Sequence, residues 1–338
     1  MIIDNKKVFV IAEIGINHNG NLDLAKNLVE AAKACNVNAV KFQTYKAEEV
    51  MTDYTPLADY MKGDSKNFLE LAKKNQLSFP QTLEIKKYCD EINIEFISSP
   101  FDVESCKFLG TLGIRRLKIP SGEGVNPFLL EEAAKTKLPI ILSTGMCNLE
   151  EVSESINYLK SHNSGQISIL HCTTQYPADF KNCNINAIKT LSEKFRLPVG
   201  YSDHTIGIEA SLAAVSIGAK IIEKHFTLDK SMEGPDHKAS MEPFEMDQLV
   251  KSIRNLEVAM GDGIKFPFPE EMEIAKIARK SIIANHDLEI NTVLEKWHIN
   301  AKRPGTGIPA MRFSEIIGKK IKKSIKKDEL ILFSDLKD

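Results

Sequence analysis

The sequence predicts a (β/α)8 barrel followed by a small C-terminal module. Eight short apolar runs rich in β-branched residues recur in the first two thirds of the 338-residue chain, with amphipathic stretches between them. The runs are continuously apolar rather than alternating, as expected for parallel strands covered on both faces. Eight repeats of strand and helix are typical of the barrel, and the GxGxxG turn that would favour a doubly wound open sheet is missing.

The predicted strands are spaced so that a helix fits after each of them. They are Val8–Gly15, Ala39–Tyr45, Glu95–Phe101, Arg115–Ser121, Ile140–Met146, Ser168–Thr174, Pro198–His204 and Lys220–Phe226. The predicted helices include Leu22–Cys35, Leu83–Ile92, Pro127–Lys137, Glu150–Ser161, Ile208–Ile217 and an eighth at about Pro243–Met260. Residues 46 to 80 form one much longer connection. A long loop at the top of a barrel is usually functional, so we predict a lid or a subunit contact there.

The pattern changes after the eighth helix. Gly261-Asp262-Gly263 and Phe266-Pro267-Phe268-Pro269 break the chain, and only short segments follow from Ser281 onward. We therefore predict a barrel domain over residues 1–264, a linker over 265–280 and a C-terminal module over 281–338. Such a short module is marginally stable alone, so we expect it to dock on another surface.

Charge and composition argue against two classes of partner. A net charge of −2 gives no field that would attract nucleic acid or an anionic membrane. The basic run Lys319–Lys327 has regularly spaced isoleucines and no aromatic residues, which indicates a solvated face rather than a nucleic-acid site. No apolar run approaches the roughly 18 residues that span a bilayer. The six cysteines form no CxxC pair, so we expect reduced thiols in a cytoplasmic protein.

Polar residues gather where the predicted strands end, and catalytic groups lie at these ends in barrels. Lys41, Lys118, Ser121, Ser143 and Ser202 converge on one mouth. Lysines with hydroxyls suit a phosphate or a carboxylate. Because buried lysines are costly unless an anion pairs with them, their joint placement predicts an anion site.

Two histidines lie at the ends of neighbouring predicted strands. His204 and His225 can present two imidazole nitrogens to a divalent cation, and Glu13 or Asp236 can complete an oxygen-rich shell. A lone histidine is more often structural than catalytic. Their placement beside the lysines and hydroxyls favours a metal site.

The strand ends carry a set of distinctive strings. They are IAEIGINHNG, VKFQT, ISSPF, LKIPSGE, ILSTGM, LHCTTQYP, GYSDHT, EKHFT and GPDHKAS. Together they resemble the sialic acid synthase family, and KRPGTG with its surroundings resembles that family's C-terminal antifreeze-like (SAF) domain. The resemblance covers essentially the whole chain. It implies a transferase that condenses phosphoenolpyruvate with an N-acylated mannosamine-type sugar.

The resemblance also implies roles for individual residues. The positions that match phosphoenolpyruvate-binding groups are Lys41, Lys118, Ser99, Ser121, Ser143 and Ser202, with Ser99 standing where the family often has Thr. Glu13 matches the acid/base carboxylate, and Lys41 and Lys118 are counted with it as catalytic. His204 and His225 match the ligands of Mn²⁺, with Mg²⁺ or Co²⁺ as alternatives.

The sugar contacts implied by the resemblance are Gln43, Glu123, Tyr176 and Asp236. Arg303 matches an arginine that a partner subunit's C-terminal domain inserts over the barrel, which implies a domain-swapped homodimer. Thr174 departs from members that carry Asn and supplies only one hydroxyl to the phosphate.

The identity of the sugar stays open. N-acetylmannosamine would give N-acetylneuraminate, and 2,4-diacetamido-2,4,6-trideoxy-mannose would give N,N'-diacetyllegionaminate. The strings fit both products, and the pseudaminic acid branch fits less well. Two rivals remain: a Schiff-base pyruvate aldolase that uses Lys41 or Lys118 as nucleophile, and a non-catalytic sugar-binding module. The second leaves the buried lysines and histidines unexplained.

Overall fold

The computed structural model describes residues 7–57 and 67–338. These residues form two compact units, which divide between Gly261 and Asp262. The predicted linker over 265–280 thus falls within the second unit, where most of it is helical. Within the described ranges, no helix has the length and apolar character needed to cross a membrane.

The first unit contains eight parallel strands in barrel order. The strands are β1 Phe9–Gly15, β2 Ala39–Thr44, β3 Glu95–Pro100, β4 Leu117–Ile119, β5 Ile140–Ser143, β6 Ile167–Cys172, β7 Val199–Asp203 and β8 Ile221–His225. Ladder pairing runs in the order β3-β2-β1-β8-β7-β6-β5-β4, and β3 and β4 lie side by side at the two ends of this order. The predicted eight-stranded barrel is confirmed. It is nearly closed, since β3 and β4 lie next to each other without a ladder between them in the described ranges.

Helices separate the strands and cover the outside of the sheet. They are α1 Leu22–Ala34, α2 Ala47–Val50, α3 Phe68–Asn75, α4 Phe79–Glu91, α5 Val103–Thr111, α6 Pro127–Lys135, α7 Leu149–Ser161, α8 Ala187–Phe195, α9 Glu209–Ser216 and α10 Pro243–Ala259. Several begin at the side-chain caps that the sequence offers, such as Asn21 before α1 and Asn148 before α7.

A side-chain ion pair holds β3 and β4 together where the described residues show no backbone ladder. Arg116 precedes β4 and contacts Glu95 of β3 in a bidentate pair, with Nε 2.6 Å from Oε1 and Nη2 3.2 Å from Oε2. The guanidinium also lies 4.4 Å from the centre of the Phe9 ring. Bidentate pairs of this kind are directional, so they help to set how the two strands meet.

The alternation of side chains along the strands positions the site. An apolar layer fills the lower barrel interior; it consists of Ile11, Ala39, Ile97, Ile141, Leu170 and Ile221. Because side chains alternate between the two faces of a strand, the residue two positions further along also points inward. Those next residues include Glu13, Lys41, Ser99, Ser143 and Glu223. The interior of the barrel therefore has a buried apolar layer, and a layer of polar side chains lies next to it toward the carboxyl ends of the strands.

The long connection after β2, residues 46 to 80, contains the helices α2 and α3. Residues 58–66, in the middle of the predicted lid or subunit contact, lie outside the described residues. The flanking helices α2 and α3 join residues from the ends of β1 to β3 in a small apolar cluster whose buried members are Tyr45, Ala47, Leu69 and Ala72. This cluster lies on the side of the barrel mouth where β1, β2 and β3 end.

The second unit has its own small core. The unit comprises the helix α11 Pro269–Ala278 and two antiparallel pairs of strands. In one pair β9 Ser281–Ala284 lies beside β10 Ile299–Lys302, and in the other β11 Lys320–Ile321 lies beside β12 Leu336–Lys337. The helix predicted near Phe313–Ile317 is a 3-10 segment, Ala310–Glu315. Ile321 and Ile325 are buried while the lysines beside them are exposed, so the basic run is a solvated face as predicted.

Candidate active site

A cavity of about 270 Å³ opens at the carboxyl ends of the barrel strands. Most of the predicted site residues of the barrel line it: Glu13, Lys41, Gln43, Ser99, Lys118, Ser121, Ser143, Tyr176, Ser202, His204, His225 and Asp236. Cys172, Thr174 and Glu223 line it as well. The strand ends therefore form one site, which is what the barrel topology requires.

A cluster of two lysines and two carboxylates occupies the bottom of the cavity. Lys41 Nζ lies 2.8 Å from Glu13 Oε1 and 3.6 Å from Glu223 Oε1. Lys118 Nζ lies 3.3 Å from Glu223 Oε1. All four side chains are buried. Carboxylates of the chain itself therefore pair with both lysines, and an anion site beside them stays a prediction.

Glu223 is the central residue that the sequence analysis did not select. Its Oε1 also accepts a hydrogen bond from Ser202 Oγ at 3.1 Å. Burial raises the pKa of Glu223, but the ammonium groups of Lys118 and Lys41 lower it to about 2. Its position, two residues before His225 on β8, is the signal that could have identified it, because both side chains then point inward.

Substitution of Glu223 should change how the site responds to anions. In Glu223→Gln the two lysines lose the carboxylate that both of them contact, and Lys118 loses its ion-pair partner. Loss of one buried partner is expected to cost about 3–5 kcal/mol of stability. Inorganic phosphate should then raise the melting temperature of the variant more than that of the wild type, in a thermal scan with increasing phosphate. Equal shifts in both proteins would contradict this role.

Hydroxyl groups line the cavity at the ends of β4 to β7. Ser121 Oγ accepts a hydrogen bond from the Gly145 amide at 3.0 Å, whereas the buried Ser143 Oγ has no partner. A side chain at Gly145 would not fit, because its Cβ would lie 2.2 Å from Thr174 Oγ1. The absence of a side chain at Gly145 therefore leaves room for the Ser121 and Thr174 hydroxyls.

The two histidines face each other at the ends of β7 and β8. Their ring centres are 5.5 Å apart. His204 Nδ1 lies 2.8 Å from the Thr173 carbonyl oxygen, so this nitrogen carries a proton and donates it, and Nε2 is the nitrogen left to bind a cation. His225 Nδ1 is buried without a partner, 3.9 Å from Asp236 Oδ2. Burial, His204 and Lys41 together lower the pKa of His225 well below its usual value, which favours the neutral ring.

The histidine pair fits a cation site that the chain completes only in part. Among the described residues, no group of three His, Cys, Asp or Glu side chains is arranged to hold a metal ion. Two imidazole nitrogens can bind a divalent cation, and Mn²⁺ would in addition need the oxygen ligands it prefers, from water or substrate, at the other positions. The orphaned His225 Nδ1 and Glu13 Oε2 are consistent with such a ligand-completed site.

Three further predicted residues lie around the remaining part of the cavity. Gln43 Nε2 donates to Glu13 Oε1 at 3.2 Å. Burial and the nearby Glu13 raise the pKa of Asp236 to about 6, although His204 and Lys41 oppose the shift. The Tyr176 ring lies 4.1 Å from the His204 ring. Tyr176 and Asp236 thus lie beside the two histidines, and Gln43 lies beside Glu13.

Two predicted residues lie elsewhere. Glu123 is not among the cavity-lining residues; its Oε2 accepts a hydrogen bond at 2.6 Å from Asn126, the residue that caps α6. Arg303 belongs to the second unit, is exposed, and donates from Nε to the Ala278 carbonyl oxygen at 2.9 Å. Their contacts with the sugar remain predictions.

A second buried ion pair lies between the barrel and its helices. Lys224 Nζ is 2.8 Å from Asp203 Oδ2 and donates to the Thr205 carbonyl oxygen at 2.7 Å. Ser211 of α9 donates to the same Asp203 oxygen at 2.6 Å. Asp203 and Lys224 are register partners on β7 and β8, and each immediately precedes one of the two histidines. The pair therefore fixes the strands that carry His204 and His225.

Fold and site together define a (β/α)8-barrel enzyme, with its functional groups at the strand ends. Comparison with known families specifies the class. The model of the NeuB family matches residues 28–265, and the model of the SAF domain matches residues 279–337. The chain belongs to the NeuB family of sialic acid synthases and carries a C-terminal SAF domain, as the strand-end strings predicted.

Individual relatives agree with this assignment. The chain is 45% identical over 331 residues to an N,N'-diacetyllegionaminic acid synthase of Campylobacter jejuni, covering 96% of this chain and 99% of the relative. It is 43% identical to the enzyme of the same name from Legionella pneumophila, covering 97% and 94%. A crystal structure of N-acetylneuraminic acid synthetase from Leptospira borgpetersenii, in complex with citrate, superposes with a TM-score of 0.72 at 37% identity, covering 80% of this chain and 90% of that one.

Proposed function

We propose that the protein condenses phosphoenolpyruvate with an N-acylated mannosamine-type sugar, giving a nonulosonic acid and phosphate. The observation that carries this proposal is a set of buried polar atoms without partners on cavity-lining residues: Glu13 Oε2, Ser143 Oγ, Glu223 Oε2 and His225 Nδ1. An unsatisfied buried group costs about 1–3 kcal/mol, so such a cluster is built for a ligand. Membership of the NeuB family supports this choice of reaction.

In this proposal the lysines and hydroxyls bind phosphoenolpyruvate. Lys41 and Lys118 neutralise the anion, and Ser121, Ser143 and Ser202 donate hydrogen bonds to its phosphate and carboxylate oxygens. Ser99 accepts from Lys41 Nζ at 3.3 Å, which orients that ammonium group. Water is largely excluded from this layer, so each such contact is stronger than it would be at a surface.

His204 and His225 would hold a divalent cation, which we propose to be Mn²⁺, with Mg²⁺ or Co²⁺ as alternatives. When bound, it supplies Lewis-acid polarisation of the sugar's aldehyde. The chain's own contribution is to fix the rings. The Thr173 carbonyl oxygen holds His204, and the pair Asp203–Lys224 holds the strands beneath both histidines.

The proposed reaction forms a carbon–carbon bond and replaces the carbon–oxygen bond to phosphate by one to a water oxygen. The nucleophilic carbon of phosphoenolpyruvate attacks the aldehyde carbon of the open-chain sugar, which leaves an alkoxide on the sugar and positive charge on the enol carbon. Water adds to the enol carbon and gives one proton to Glu13, which balances the proton that the sugar alkoxide takes up to become a hydroxyl. The tetrahedral intermediate then collapses to the keto acid: the bond between its carbon and the phosphate oxygen breaks, and the departing phosphate takes the remaining proton of the added hydroxyl.

Two sugars fit this chemistry. N-acetylmannosamine would give N-acetylneuraminate, and 2,4-diacetamido-2,4,6-trideoxy-mannose would give N,N'-diacetyllegionaminate. The second candidate is favoured because the two relatives described at 45% and 43% identity are both N,N'-diacetyllegionaminic acid synthases.

The experiment that tests the proposal is release of phosphate from phosphoenolpyruvate with each sugar in the presence of Mn²⁺. We expect release only when a sugar is present, its loss on chelation, and its return when Mn²⁺ is restored. Borohydride with pyruvate should trap no adduct on Lys41 or Lys118. A trapped adduct would favour the Schiff-base aldolase, and no phosphate from either sugar would favour the non-catalytic module.

We also propose a homodimer in which Arg303 of one subunit completes the barrel of its partner. If so, Arg303→Ala and Glu13→Gln should each be inactive alone. Mixed after dissociation and reassociation, they should recover about a quarter of wild-type activity, because half of the dimers then hold one intact site of two. The measurement is phosphate release by the mixture. No recovery, or full activity after truncation near residue 270, would contradict this arrangement.

A cytoplasmic location fits the same proposal. All six cysteines are free thiols. Proteins that mature in oxidising compartments usually pair their cysteines, so reduced thiols favour the cytoplasm.

A further inference from the structure

The segment that carries Asp236 belongs to no strand of the barrel. It follows β8 and contains the 3-10 turn His237–Ala239, and Asp236 itself lines the cavity. The Asp236 Oδ2 atom lies 3.9 Å from His225 Nδ1, which is beyond hydrogen-bonding distance. The position of this carboxylate therefore depends on how the backbone of its segment is held.

Asn17, in the loop after β1, holds this segment. Its Nδ2 donates to the Phe226 carbonyl oxygen at 2.9 Å and to Ser240 Oγ at 2.8 Å. Ser240 Oγ in turn donates to the Asp236 carbonyl oxygen at 2.6 Å. Asn17 and Ser240 are each 1% exposed, so water does not compete for these bonds. Two buried hydrogen bonds in series thus connect Asn17 to the backbone of Asp236.

The orientation of the Asn17 amide follows from its partners. A carbonyl oxygen can only accept, so the atom that faces Phe226 is Nδ2 rather than Oδ1. Both amide protons are then used, and Ser240 keeps its own hydroxyl proton for Asp236. Aspartate has the same shape but no proton to donate, so it could not replace Asn17.

The other end of this connection is the strand of Glu13. Asn17 follows Glu13 by four residues, and Glu13 is fixed in β1 by ladder pairs with both β2 and β8. The carboxylates of Glu13 and Asp236 both lie close to Gly15, where an added Cβ would be 3.3 Å from Glu13 Oε1 and 3.6 Å from Asp236 Oδ2. Because the strand is fixed on both sides, loss of the Asn17 amide should displace Asp236 rather than Glu13.

We propose that Asn17 is a positioning residue, which sets the place of the Asp236 carboxylate relative to Glu13 and thereby orients the sugar. The inference rests on the proposed function, in which Asp236 contacts the sugar and Glu13 holds a proton. The hydroxyls that would bind phosphoenolpyruvate lie at the ends of β4 to β7 and take no part in these hydrogen bonds. Asn17 should therefore affect the use of the sugar and not the binding of phosphoenolpyruvate.

The kinetic test is phosphate release by Asn17→Ala at saturating phosphoenolpyruvate and Mn²⁺, with whichever sugar supports the reaction. We expect kcat/KM for the sugar to fall about 10- to 100-fold, since a misplacement of about 1 Å can cost 10²-fold. The KM for phosphoenolpyruvate should not change. In an Asp236→Ala background the same substitution should cost less than about twofold, because the group through which Asn17 acts is already gone.

Hydrogen exchange followed by mass spectrometry tests the same connection without activity. Within the segment the Ala239 amide donates to Asp236 and the Ser240 amide to His237. These amides should exchange about 3- to 10-fold faster in Asn17→Ala, the change expected from losing one hydrogen bond. Ser240→Ala breaks the connection but keeps the bond from Asn17 to Phe226, so it provides the test if Asn17→Ala does not fold.

Asn38→Ala is the matched control. Asn38 Oδ1 accepts from the Val10 amide at 2.8 Å and from Arg254 at 3.1 Å, so the variant loses side-chain hydrogen bonds near the start of β1, at the other end of the strand. It should leave both the sugar kinetics and the exchange of residues 233–241 unchanged.

Three results would overturn the inference. They are unchanged exchange of residues 233–241 in the folded variants, an equal loss in the use of phosphoenolpyruvate and sugar, and a full additional loss in the Asp236→Ala background. Absence of phosphate release by the wild type with either sugar would instead refute the proposed function, and the exchange measurement would then decide by itself whether Asn17 holds the segment.

Discussion

Glu13→Gln is expected to lower kcat for phosphate release by about 10²- to 10⁴-fold, the usual contribution of a general acid or base. Glu13 is only 2% exposed, and its Oε2 has no hydrogen-bond partner. Burial raises the pKa of this carboxyl group although Lys41 opposes the shift, so the group is suited to accept a proton. Glutamine keeps the shape of the side chain but cannot take that proton.

The effect should appear as a fall in kcat without a rise in the KM for phosphoenolpyruvate, because loss of the Glu13 carboxylate leaves Lys41 freer to bind the anion. Phosphate release under saturating substrates and Mn²⁺ measures it. Glu132→Gln on α6 makes the same exchange outside the cavity and should behave as the wild type. Phosphate release near the wild-type rate in Glu13→Gln would exclude the acid/base role.

Asp203→Asn is expected to lower the free energy of unfolding of the barrel by about 3–5 kcal/mol, because it leaves the Lys224 ammonium group buried without its counter-charge. Lys224 is 1% exposed, so water cannot replace the lost carboxylate charge. Asp203 Oδ1 also accepts from the Thr205 amide at 2.8 Å, so the loop after β7 should loosen. Urea denaturation followed by circular dichroism measures the change.

A matched exposed pair provides the control for this variant. Asp247 and Lys251 form an ion pair one turn apart on α10, where the Lys251 side chain is 71% exposed. Asp247→Asn should change stability by about 1 kcal/mol or less. If the histidine-bearing strands shift as we expect, Asp203→Asn should also weaken Mn²⁺ binding in calorimetry. A stability loss no larger than that of Asp247→Asn would contradict the role of this ion pair.

The strand pattern shows how far local sequence information extends. Each predicted strand overlaps an observed one, because a continuously apolar run bounded by polar residues is a local signal. The short segments after Ser281 were less predictable. Residues 310–315 form a 3-10 segment rather than a helix, since a few residues cannot repay the cost of helix nucleation.

Glu223 and Lys224 show where local information ends. They are neighbours in the EKHFT string, yet Glu223 enters the cavity and Lys224 packs toward α9 with Asp203 and Ser211. Alternation along a strand separates the two side chains, but only the register of β7 with β8 shows which partner each one meets.

The sequence alone determined the order of eight strands, the polar groups at their ends and the family to which the chain belongs. The tertiary structure decided which of these groups pair. Lys118 on β4 and Glu223 on β8 belong to strands that are four places apart in the sheet. Only the closing of that sheet into a barrel brings Lys118 Nζ within 3.3 Å of Glu223 Oε1. The small apolar cluster of Tyr45, Ala47, Leu69 and Ala72 likewise depends on α3 packing beside the ends of β1 to β3. Both are contacts between distant segments, which no local pattern encodes.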